Sequence, residues 1–289
     1  MKYVYALFLL FSFNIAEAKI VLITGASRGL GLATAEHLAQ KGYRVYAGVR
    51  DKSLIADQQN LIFVELDVTD PATIQAAVSK IVAAEGRIDV LINNAAYAIA
   101  GPLEMLTMDE MLKQMDVNFW GPIRMSQEVI PQMRKQSSGR IINISSEQGI
   151  YGLPFGCLYT SSKAALESMS EALSIELLPW NIHVSIVEPG LIRTKFSIAM
   201  GTRPVEGNPY AKIVTDIKKS LQERFEHPDI LSPSQSAEEV AEFLCQVIEE
   251  ETPKLRYQTS EACQEMVSMK LKDLSGEAFT TKMGKAFSQ

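Results

Sequence analysis

The chain has 289 residues, 47% of them hydrophobic and 21% charged, which is the composition of a globular protein with a sizeable core. A net charge of -6 at pH 7, with no basic run, argues against a general nucleic-acid binder. The three cysteines form no CxxC pair and there are only three histidines, so a disulfide framework and a metal site are both disfavoured and a reducing compartment fits best.

Residues 1–18 form an apolar N-terminal segment that has two interpretations. Lys2 is followed by an apolar run from Val4 to Phe13 and by the triplet Ala16-Glu17-Ala18. This is the order of features in a secretory signal peptide with an A-x-A cleavage site. The alternative is an apolar extension that packs on the domain, and the sequence leaves both open.

From Lys19 onward, short apolar runs alternate with helical stretches, joined by short connections. Strands are predicted at residues 19–25, 43–50, 61–70, 88–96, 139–146 and 182–190. Helices are predicted at residues 31–42, 71–86 and 108–135, from about Tyr159 to Leu178, and at 236–251. This alternation is typical of a doubly wound parallel α/β sheet, the Rossmann fold, in a single domain over residues 19–289.

The alternation stops after Thr194. Residues 195–230 mix glycine, proline and apolar residues without a recognisable strand, which is typical of a substrate lid, although a plain surface connection has the same composition. The tail beyond Lys254 is polar and is predicted to be helical in part, with little bearing on function.

The turn between the first strand and the first helix has the sequence TGASRGLG, residues 24–31. Its glycines let the chain turn sharply, bring the backbone close to a pyrophosphate and pack the helix tightly on the strand. The helix start then offers free N–H groups and a positive dipole end to phosphates. A plain tight turn is the alternative, but in the first strand–turn–helix unit we predict a dinucleotide site formed by Gly25, Ser27, Arg28, Gly29, Leu30 and Gly31.

The end of the second strand selects between the two nicotinamide dinucleotides. An acidic residue there binds a free ribose 2′-hydroxyl, whereas a 2′-phosphate requires cations. Here Arg50 follows the strand and Arg28 lies in the glycine turn, so two guanidinium groups are available. We therefore predict NADP(H) in preference to NAD(H), although Asp51 follows directly and both arginines could be solvated surface residues. Such a cofactor implies a cytoplasmic protein, free or membrane-associated, with export as the alternative.

Two more strand ends place polar groups at the same edge of the predicted sheet. Asp67 and Val68 follow the third strand, where a carboxylate could accept a hydrogen bond from an adenine amino group. Asn94 and Ala95 follow the fourth strand. Because ligands bind at the carboxyl ends of parallel strands, we assign all four residues to the cofactor site.

The groups suited to proton transfer come later in the chain. Ser145 and Ser146 end the fifth strand, and Tyr159 and Lys163 follow, one helical turn apart, in the sequence YTSSK. A tyrosine hydroxyl can protonate a carbonyl oxygen, but its ordinary pKa of about 10 is high for work at neutral pH. An ammonium group nearby would lower that pKa, and the Ser146 hydroxyl would position and polarise the oxygen. Asn118, just before a Gly-Pro pair, could anchor a proton-carrying water or be a satisfied polar residue at a kink.

In this order and spacing, TGASRGLG, NNAA, Asn118, Ser146, YTSSK and Pro189-Gly190 resemble the motifs of the short-chain dehydrogenase/reductase family over residues 19–194. The resemblance implies a catalytic tetrad of Asn118, Ser146, Tyr159 and Lys163, in which Tyr159 and Lys163 also hold the cofactor. It implies nicotinamide contacts from the residues after the sixth strand, Pro189, Gly190, Ile192 and Thr194. The family usually has glycine where this chain has Ala96.

The stretches GPLEMLTMDEMLKQMDVNFWG, YGLPF and LRYQTS are similar to the branch that contains steroid 17β-dehydrogenases and retinol dehydrogenases. This likeness implies a hydrophobic alcohol, or its ketone or aldehyde, as substrate. Substrate contacts are expected from Ser146, Leu153, Phe155, Tyr159 and Phe196, with Met200 as a further apolar candidate, although core or lid packing would also explain each apolar side chain. Relatives often form homo-oligomers through the helices that carry Asn118 and Tyr159, and we expect a homo-oligomer here.

An NADP(H)-dependent oxidoreductase is therefore the leading hypothesis. A non-catalytic NADP-binding sensor or scaffold is the second, although a binder does not need a tuned phenol. An epimerase or dehydratase is the third, and these usually have a different glycine spacing and a longer substrate domain. Cys157 has no histidine or metal partner near it in the sequence and is interpreted as a packing residue.

Overall fold

The computed structural model describes residues 18–53, 55–194, 196, 198–204, 206–207, 209–226, 234–272 and 274–275. Residues 1–17, which make up nearly all of the predicted N-terminal segment, lie outside the described residues, as do several positions of the predicted lid. In the described part of the chain, no helix has the length and apolar character needed to span a membrane.

The strands are β1 (Ile20–Ile23), β2 (Arg44–Val49), β3 (Leu61–Glu65), β4 (Val90–Asn93), β5 (Ala98–Ala100), β6 (Gly139–Ile144), β7 (Ile182–Glu188), β8 (Ile192–Arg193), β9 (Ile198–Met200), β10 (Gln235–Ser236) and β11 (Arg256–Gln258). Seven of them form one parallel sheet in the order β11-β7-β6-β4-β1-β2-β3. The strand order reverses between β1 and β4, and the crevice at such a point is where doubly wound proteins bind their ligands.

The helices are α1 (Gly29–Gln40), α2 (Pro71–Glu85), α3 (Met108–Met115), α4 (Gly121–Gln136), α5 (Cys157–Glu176), α6 (Ala211–Glu226), α7 (Ala237–Glu249) and α8 (Glu261–Lys272). Helix α2 shows how local sequence sets such bounds. The Asp70 side chain accepts a hydrogen bond from the Ala72 N–H, Pro71 opens the first turn, and Gly86 ends the helix in the left-handed conformation.

Helices cover both faces of the sheet, and β1 shows why. Successive side chains of a strand point to opposite faces. Val21 and Ile23 join the core formed with α1 and α7, whereas Ile20 and Leu22 join the core formed with α2 and α4. The predicted doubly wound α/β fold in one domain is confirmed.

The tail beyond Lys254 is helical in part, as predicted, in α8, but it also forms a strand, and the prediction of no strand in residues 195–230 is wrong. The tail supplies β11, which extends the sheet by pairing with β7 from Arg256 opposite Ile186 to Gln258 opposite Glu188. Residues 195–230 are not free of strands, because β9 pairs with β5, and helix α6 follows. Strands β11 and β9 have only three residues each, so no periodic pattern indicates them in the sequence. Their stability comes from pairing with a strand that is distant in the chain.

Candidate active site

The turn between β1 and α1 requires small residues. Gly25 has a φ of +68°, and a Cβ on it would lie 2.8 Å from the Cα of Ala95. A Cβ on Gly31 would collide with the carbonyl oxygen of Gly25 and with the side-chain amide of Asn94. The turn is therefore packed directly against the end of β4.

The start of helix α1 is suited to an anion. Arg28 is the N-cap residue and its side chain makes no cap hydrogen bond, so the first N–H groups of the helix are not satisfied by it. Ser27 and Arg28 are exposed, and Leu30 is buried, which leaves its backbone N–H as its possible contribution. Gly29 has a φ of +59°, and its Cβ position lies 3.4 Å from the Cβ of Thr194. Open N–H groups at a positive helix end fit a phosphate of a dinucleotide.

A hydrogen-bond network holds the two strand ends together. The Thr24 hydroxyl accepts hydrogen bonds from the N–H groups of Asn94 and Ala95, both at 3.0 Å. The Asn94 side chain donates to the carbonyl oxygens of Thr24 at 2.8 Å and of Gly25 at 3.2 Å. The sequence analysis missed Thr24, although it opens the glycine motif. Asn94 and Ala95 thus shape the cofactor turn itself.

Two cationic side chains lie at the predicted 2′-phosphate position. Arg28 and Arg50 are both exposed, and neither forms an ion pair with another described residue. Asp51, which counted against NADP(H), accepts hydrogen bonds from the N–H and hydroxyl of Ser53 at 2.8 and 2.6 Å. These bonds lower the pKa of Asp51 and engage its carboxylate within its own loop. Both guanidinium groups therefore stay available to a ligand.

Asp67 and Val68 lie at the end of the third strand with different environments. One oxygen of the Asp67 carboxylate accepts hydrogen bonds from the N–H and hydroxyl of Thr69, at 2.8 and 2.7 Å. Val68 is buried against the start of α4, where a Cβ on Gly121 would lie 2.8 Å from Val68 Cγ2. Val68 therefore has a packing role beside its predicted cofactor contact.

Asn118 lies in a π-helical turn, Asp116–Trp120, that separates α3 from α4. The helical stretch predicted at residues 108–135 is confirmed, and the π turn divides it into α3 and α4. The Asn118 side chain is buried, accepts from the Tyr97 N–H at 3.1 Å, and donates to the Tyr97 carbonyl at 2.9 Å and to Ser162 Oγ at 3.1 Å. Such π turns often mark functional sites. Asn118 ties the loop after β4 to helix α5.

The two serines after β6 have different surroundings. The Ser146 hydroxyl accepts from the Gln148 N–H at 3.2 Å and donates to the Pro189 carbonyl at 3.4 Å. Its interaction with Tyr159 lowers the pKa of the tyrosine. Ser145 is buried, and its hydroxyl oxygen lies 2.7 Å from the place that a Cβ on Gly149 would take. The geometry thus brings Ser146, and not Ser145, to Tyr159.

Tyr159 and Lys163 share one face of helix α5, with the lysine Nζ 5.7 Å from the centre of the tyrosine ring. Lys163 is buried and donates a hydrogen bond to the carbonyl oxygen of Ile144 at 2.7 Å. The last carbonyl of β6 therefore fixes the ammonium group beneath the tyrosine.

The electrostatics of this pair differ from the sequence-based expectation. Burial raises the pKa of Tyr159 to about 12, the hydrogen bond with Ser146 opposes that rise, and the charge of Glu147 adds to it. Burial also lowers the pKa of Lys163 to about 8, against the charge of Glu167. The pKa of Tyr159 therefore moves in the direction opposite to the predicted one, because desolvation of the phenolate is the largest effect on it. No motif in the sequence indicates that the charge of Glu147 acts on Tyr159.

The segment after β7 leads back to the start of α1. Pro189 is buried, and its carbonyl accepts a hydrogen bond from the Glu147 N–H at 3.1 Å. Gly190 packs closely, since a Cβ there would lie 2.8 Å from the sulfur of Cys263. The Ile192 carbonyl accepts a hydrogen bond from the Thr194 N–H at 2.9 Å. The Thr194 side chain lies against Gly29, with its Cβ 3.4 Å from the Cβ position of that glycine. Of the predicted nicotinamide residues, Thr194 thus borders the glycine turn.

The predicted substrate residues are only partly brought together. The Phe196 ring packs edge-on to the Tyr159 ring, with centroids 6.1 Å apart and an angle of 71°. Leu153 is half-buried in the loop before α5, and Phe155 in that loop has a φ of +62°. Met200 lies on β9, with its Cε 4.0 Å from the Cβ position of Gly101. An aromatic side chain therefore borders the Tyr159 ring.

Two further expectations concern single residues. Ala96 is not among the described residues with positive φ, so a methyl group in place of the usual glycine meets no backbone strain. Cys157 is the first residue of α5, and its carbonyl accepts hydrogen bonds from the hydroxyls of Thr160 and Ser161 at 2.9 and 2.7 Å. These bonds stabilise the first turn of the helix that carries Tyr159.

The fold and the site define a nicotinamide-dependent dehydrogenase of the Rossmann class. Residues 19–203 match the sequence profile of the family described as short chain dehydrogenase. The chain belongs to this family of oxidoreductases, the short-chain dehydrogenases/reductases, which confirms the resemblance seen in its motifs.

Curated relatives support the predicted branch. The chain is 35% identical to human 17-beta-hydroxysteroid dehydrogenase type 1, over 91% of this chain and 84% of that protein. It is 33% identical to human Retinol dehydrogenase 8, over 91% and 88% respectively. It is also 43% identical over 181 residues to 3-ketodihydrosphingosine reductase of Bacteroides thetaiotaomicron, which covers 63% of this chain and 66% of that protein. The chain thus spans about two thirds of the length of this last relative.

Solved structures share the fold over most of their length. A short-chain dehydrogenase from Streptomyces avermitilis is 30% identical with a TM-score of 0.78, covering 94% of this chain and 98% of that one. A short chain dehydrogenase from Burkholderia cenocepacia in complex with NADP is 26% identical with a TM-score of 0.73, covering 92% and 98%. A family member from Burkholderia phymatum in complex with NAD shares the fold at 24% identity, with a TM-score of 0.75 over 89% and 94%. Structures of this fold therefore hold either dinucleotide.

Proposed function

We propose that this protein is an NADP(H)-dependent oxidoreductase that interconverts a hydrophobic alcohol and its ketone or aldehyde. The observation that carries the proposal is the placement of Ser146, Tyr159 and Lys163. Ser146 opposes the rise in the pKa of the tyrosine, and the buried lysine lies one helical turn from the tyrosine, with its Nζ 5.7 Å from the centre of the ring, at the same sheet edge as the open start of α1. The cofactor would supply the hydride, and these side chains would manage the proton.

Tyr159 is the proposed proton donor for carbonyl reduction. With its pKa raised to about 12, the hydroxyl stays protonated throughout the neutral range. Ser146 would donate a hydrogen bond to the substrate oxygen, without transferring its proton, and so hold that oxygen next to Tyr159. The Lys163 ammonium would stabilise the phenolate that remains after the proton has left.

Asn118 is proposed to act by positioning. The side-chain amide of Asn118 forms hydrogen bonds with Tyr97 and Ser162. These bonds hold the π turn against α5, next to Lys163. The remaining lone pair of its side-chain oxygen would be the acceptor for a water that relays protons to the lysine.

The cofactor preference rests on Arg28 and Arg50, which are exposed and make no ion pair among the described residues. The test is the dissociation constant for NADPH and NADH, measured by fluorescence titration of the wild type and of a double variant, Arg28→Ala with Arg50→Ala. We expect NADPH to bind at least about tenfold more tightly to the wild type, and the double variant to lose most of that difference. Tighter binding of NADH by the wild type would refute the assignment.

The substrate proposal draws on the names of the relatives. Hydroxysteroid, retinol and 3-ketodihydrosphingosine are all mostly apolar molecules with an oxygen at a reacting carbon. Phe196, packed on the Tyr159 ring, provides an apolar wall beside the proposed proton donor. A screen should therefore include a 17-ketosteroid, retinal and a long-chain 3-keto base, with NADPH consumption as the readout. Turnover of polar aldehydes alone would contradict this proposal.

A non-catalytic sensor is separated from an enzyme by Tyr159→Phe. For an enzyme we expect turnover to fall by at least about 100-fold while NADPH binding stays within about twofold, because only the proton donor is lost. Tyr97→Phe is the control, since the pKa of Tyr97 is raised by burial and then by the charges of Asp116 and Glu110, and not by the residues around Tyr159. Turnover by Tyr159→Phe at the wild-type rate would exclude Tyr159 as the donor. NADPH binding without turnover of any substrate would favour the sensor.

A further inference from the structure

A buried carboxylate lies one helical turn from the proposed catalytic lysine. Lys163 and Glu167 are four residues apart on α5, on the same face, and are only 3% and 4% exposed. The lysine ammonium is bound on its other side by the Ile144 carbonyl at 2.7 Å. A charged lysine so far from water requires a compensating negative charge. Glu167 is the neighbour whose charge raises the pKa of Lys163.

Strand β11 fixes this carboxylate. Arg256 donates from Nε to Glu167 Oε2 at 3.0 Å and from Nη2 to Glu171 Oε2 at 2.6 Å. Arg256 and Gln258 are two residues apart on β11 and therefore point to the same side of the strand. The tail of the chain thus contributes a cation to the back of the proposed active site.

A second buried carboxylate determines where the negative charge resides. Glu188, at the end of β7, is fully buried, and its Oε1 lies 3.6 Å from Arg256 Nε, farther than Glu167 Oε2. Gln258 donates to the other Glu188 oxygen at 2.9 Å. Burial raises the pKa of Glu188 to about 7, and the charge of Glu167 contributes to that rise. Burial raises the pKa of Glu167 as well, but its hydrogen bond with Arg256 and the charge of Lys163 oppose that rise. Glu188 can therefore hold a proton at neutral pH while Glu167, directly bonded to Arg256, keeps its charge.

On the basis of the proposed function, we infer that Glu167, held by Arg256, is a positioning residue that keeps the Lys163 ammonium charged when Tyr159 gives up its proton. Burial lowers the pKa of Lys163 to about 8 even with the charge of Glu167 nearby, so without that carboxylate the lysine would lose its proton at a still lower pH and could no longer stabilise a phenolate. The charged and titratable groups around this pair come from every packed element: Tyr159 and Glu171 on α5, Glu147 after β6, Glu188 on β7 and Arg256 on β11.

The first test is the pH profile of kcat/KM for carbonyl reduction by the wild type, Glu167→Gln and Glu171→Gln. In Glu167→Gln the alkaline limb should move to lower pH by about one unit, because the lysine loses its proton earlier. Glu171→Gln is the matched control. Glu171 lies on the same helix and bonds the same arginine, but its side chain is 55% exposed and its profile should coincide with that of the wild type. Glu167→Asp, which keeps the charge but shortens the side chain, should move the alkaline limb in the same direction by a smaller amount.

The second test does not depend on turnover. The titration of Lys163 is followed by NMR of protein labelled with 13C at lysine Cε, with Lys163→Arg to assign the signal. We expect a lower midpoint in Glu167→Gln and an unchanged midpoint in Glu171→Gln. An unchanged midpoint in Glu167→Gln that retains a folded amide spectrum would overturn the inference even if the enzyme turns over substrate. A lower titration midpoint of Lys163 in Glu167→Gln, in a protein that turns over no substrate, would support the electrostatic role of Glu167. The same result would contradict only the proposed function. If the Gln variant does not fold, Glu167→Asp carries the test, with a smaller shift in the same direction expected and no shift refuting it.

Discussion

Gly25 and Gly86 have the same left-handed backbone conformation in different surroundings, with φ values of +68° and +71°. Gly25 lies in the glycine turn against Ala95, whereas a Cβ on Gly86, at the end of α2, would meet no atom within 4 Å. Substitution of each by alanine therefore separates the effect of backbone strain from the effect of crowding. The strain should be the same in both variants, about 1–2 kcal/mol.

The crowding is specific to Gly25→Ala. The new Cβ would lie 2.8 Å from the Cα, 3.1 Å from the Cβ and 3.2 Å from the N of Ala95. Two of these atoms are backbone atoms, which cannot rotate away, so the overlap should add about 1–3 kcal/mol to the loss. We expect a loss of unfolding free energy of about 1–2 kcal/mol for Gly86→Ala and about 2–5 kcal/mol for Gly25→Ala.

The measurement is urea unfolding of both variants without added cofactor, followed by circular dichroism, together with NADPH titration of the folded proteins. Gly86→Ala should bind NADPH like the wild type, since α2 ends away from the turn. Gly25→Ala should bind at least about tenfold more weakly, because the displaced turn no longer presents its N–H groups to a phosphate. Equal destabilisation of the two variants would show that the contact with Ala95 relaxes without cost and that the crowding argument is wrong.

Two further predictions concern buried polar groups. Thr24→Val removes the acceptor of the Asn94 and Ala95 N–H groups and should lower the free energy of unfolding, measured in urea, by about 1–3 kcal/mol. The control is Thr34→Val, which should be neutral or slightly stabilising because the buried Thr34 hydroxyl has no hydrogen-bond partner among the described residues. The pKa of Glu188 is raised from 4.5 to about 7, so its contribution to stability is full below pH 4.5 and is lost as pH rises through 7. As the pH rises from about 4.5 to about 8, the free energy of unfolding of Glu188→Gln, measured in urea, should therefore increase by up to about 3 kcal/mol relative to that of the wild type. The same pH dependence of stability in both proteins would contradict this prediction.

The parts of the fold that the sequence predicts are those whose cause is local. The apolar residues of β1 occupy consecutive positions, and each face of the strand meets a separate core, so a continuous apolar run is a reliable sign of a central strand. Asp70, Pro71 and Gly86 set the ends of α2 by capping and by backbone preference. The glycine turn is equally local, because its own φ values and close contacts demand small residues.

The parts that the sequence does not predict depend on distant partners. Strand β11 has the sequence Arg-Tyr-Gln, which has no apolar pattern, and it exists because its backbone pairs with β7. Strand β9 likewise depends on β5, about 100 residues earlier in the chain. Thr24 belongs to a recognised motif, yet its role needs knowledge of which N–H groups lie opposite it across the switch point.

The same distinction explains why YTSSK gives the right pair of side chains and the wrong direction for the pKa of Tyr159. The spacing fixes that Tyr159 and Lys163 share a face of α5, which is a property of the helix alone. The direction of the pKa change depends on how much water the surrounding elements remove, and in this structure desolvation is the largest effect on Tyr159. What keeps the ammonium charged is then Glu167, and Glu167 is held by an arginine 93 positions further along than Lys163, on a strand that has no local signal. A local motif can therefore specify which groups meet, but the tertiary fold decides their charge states.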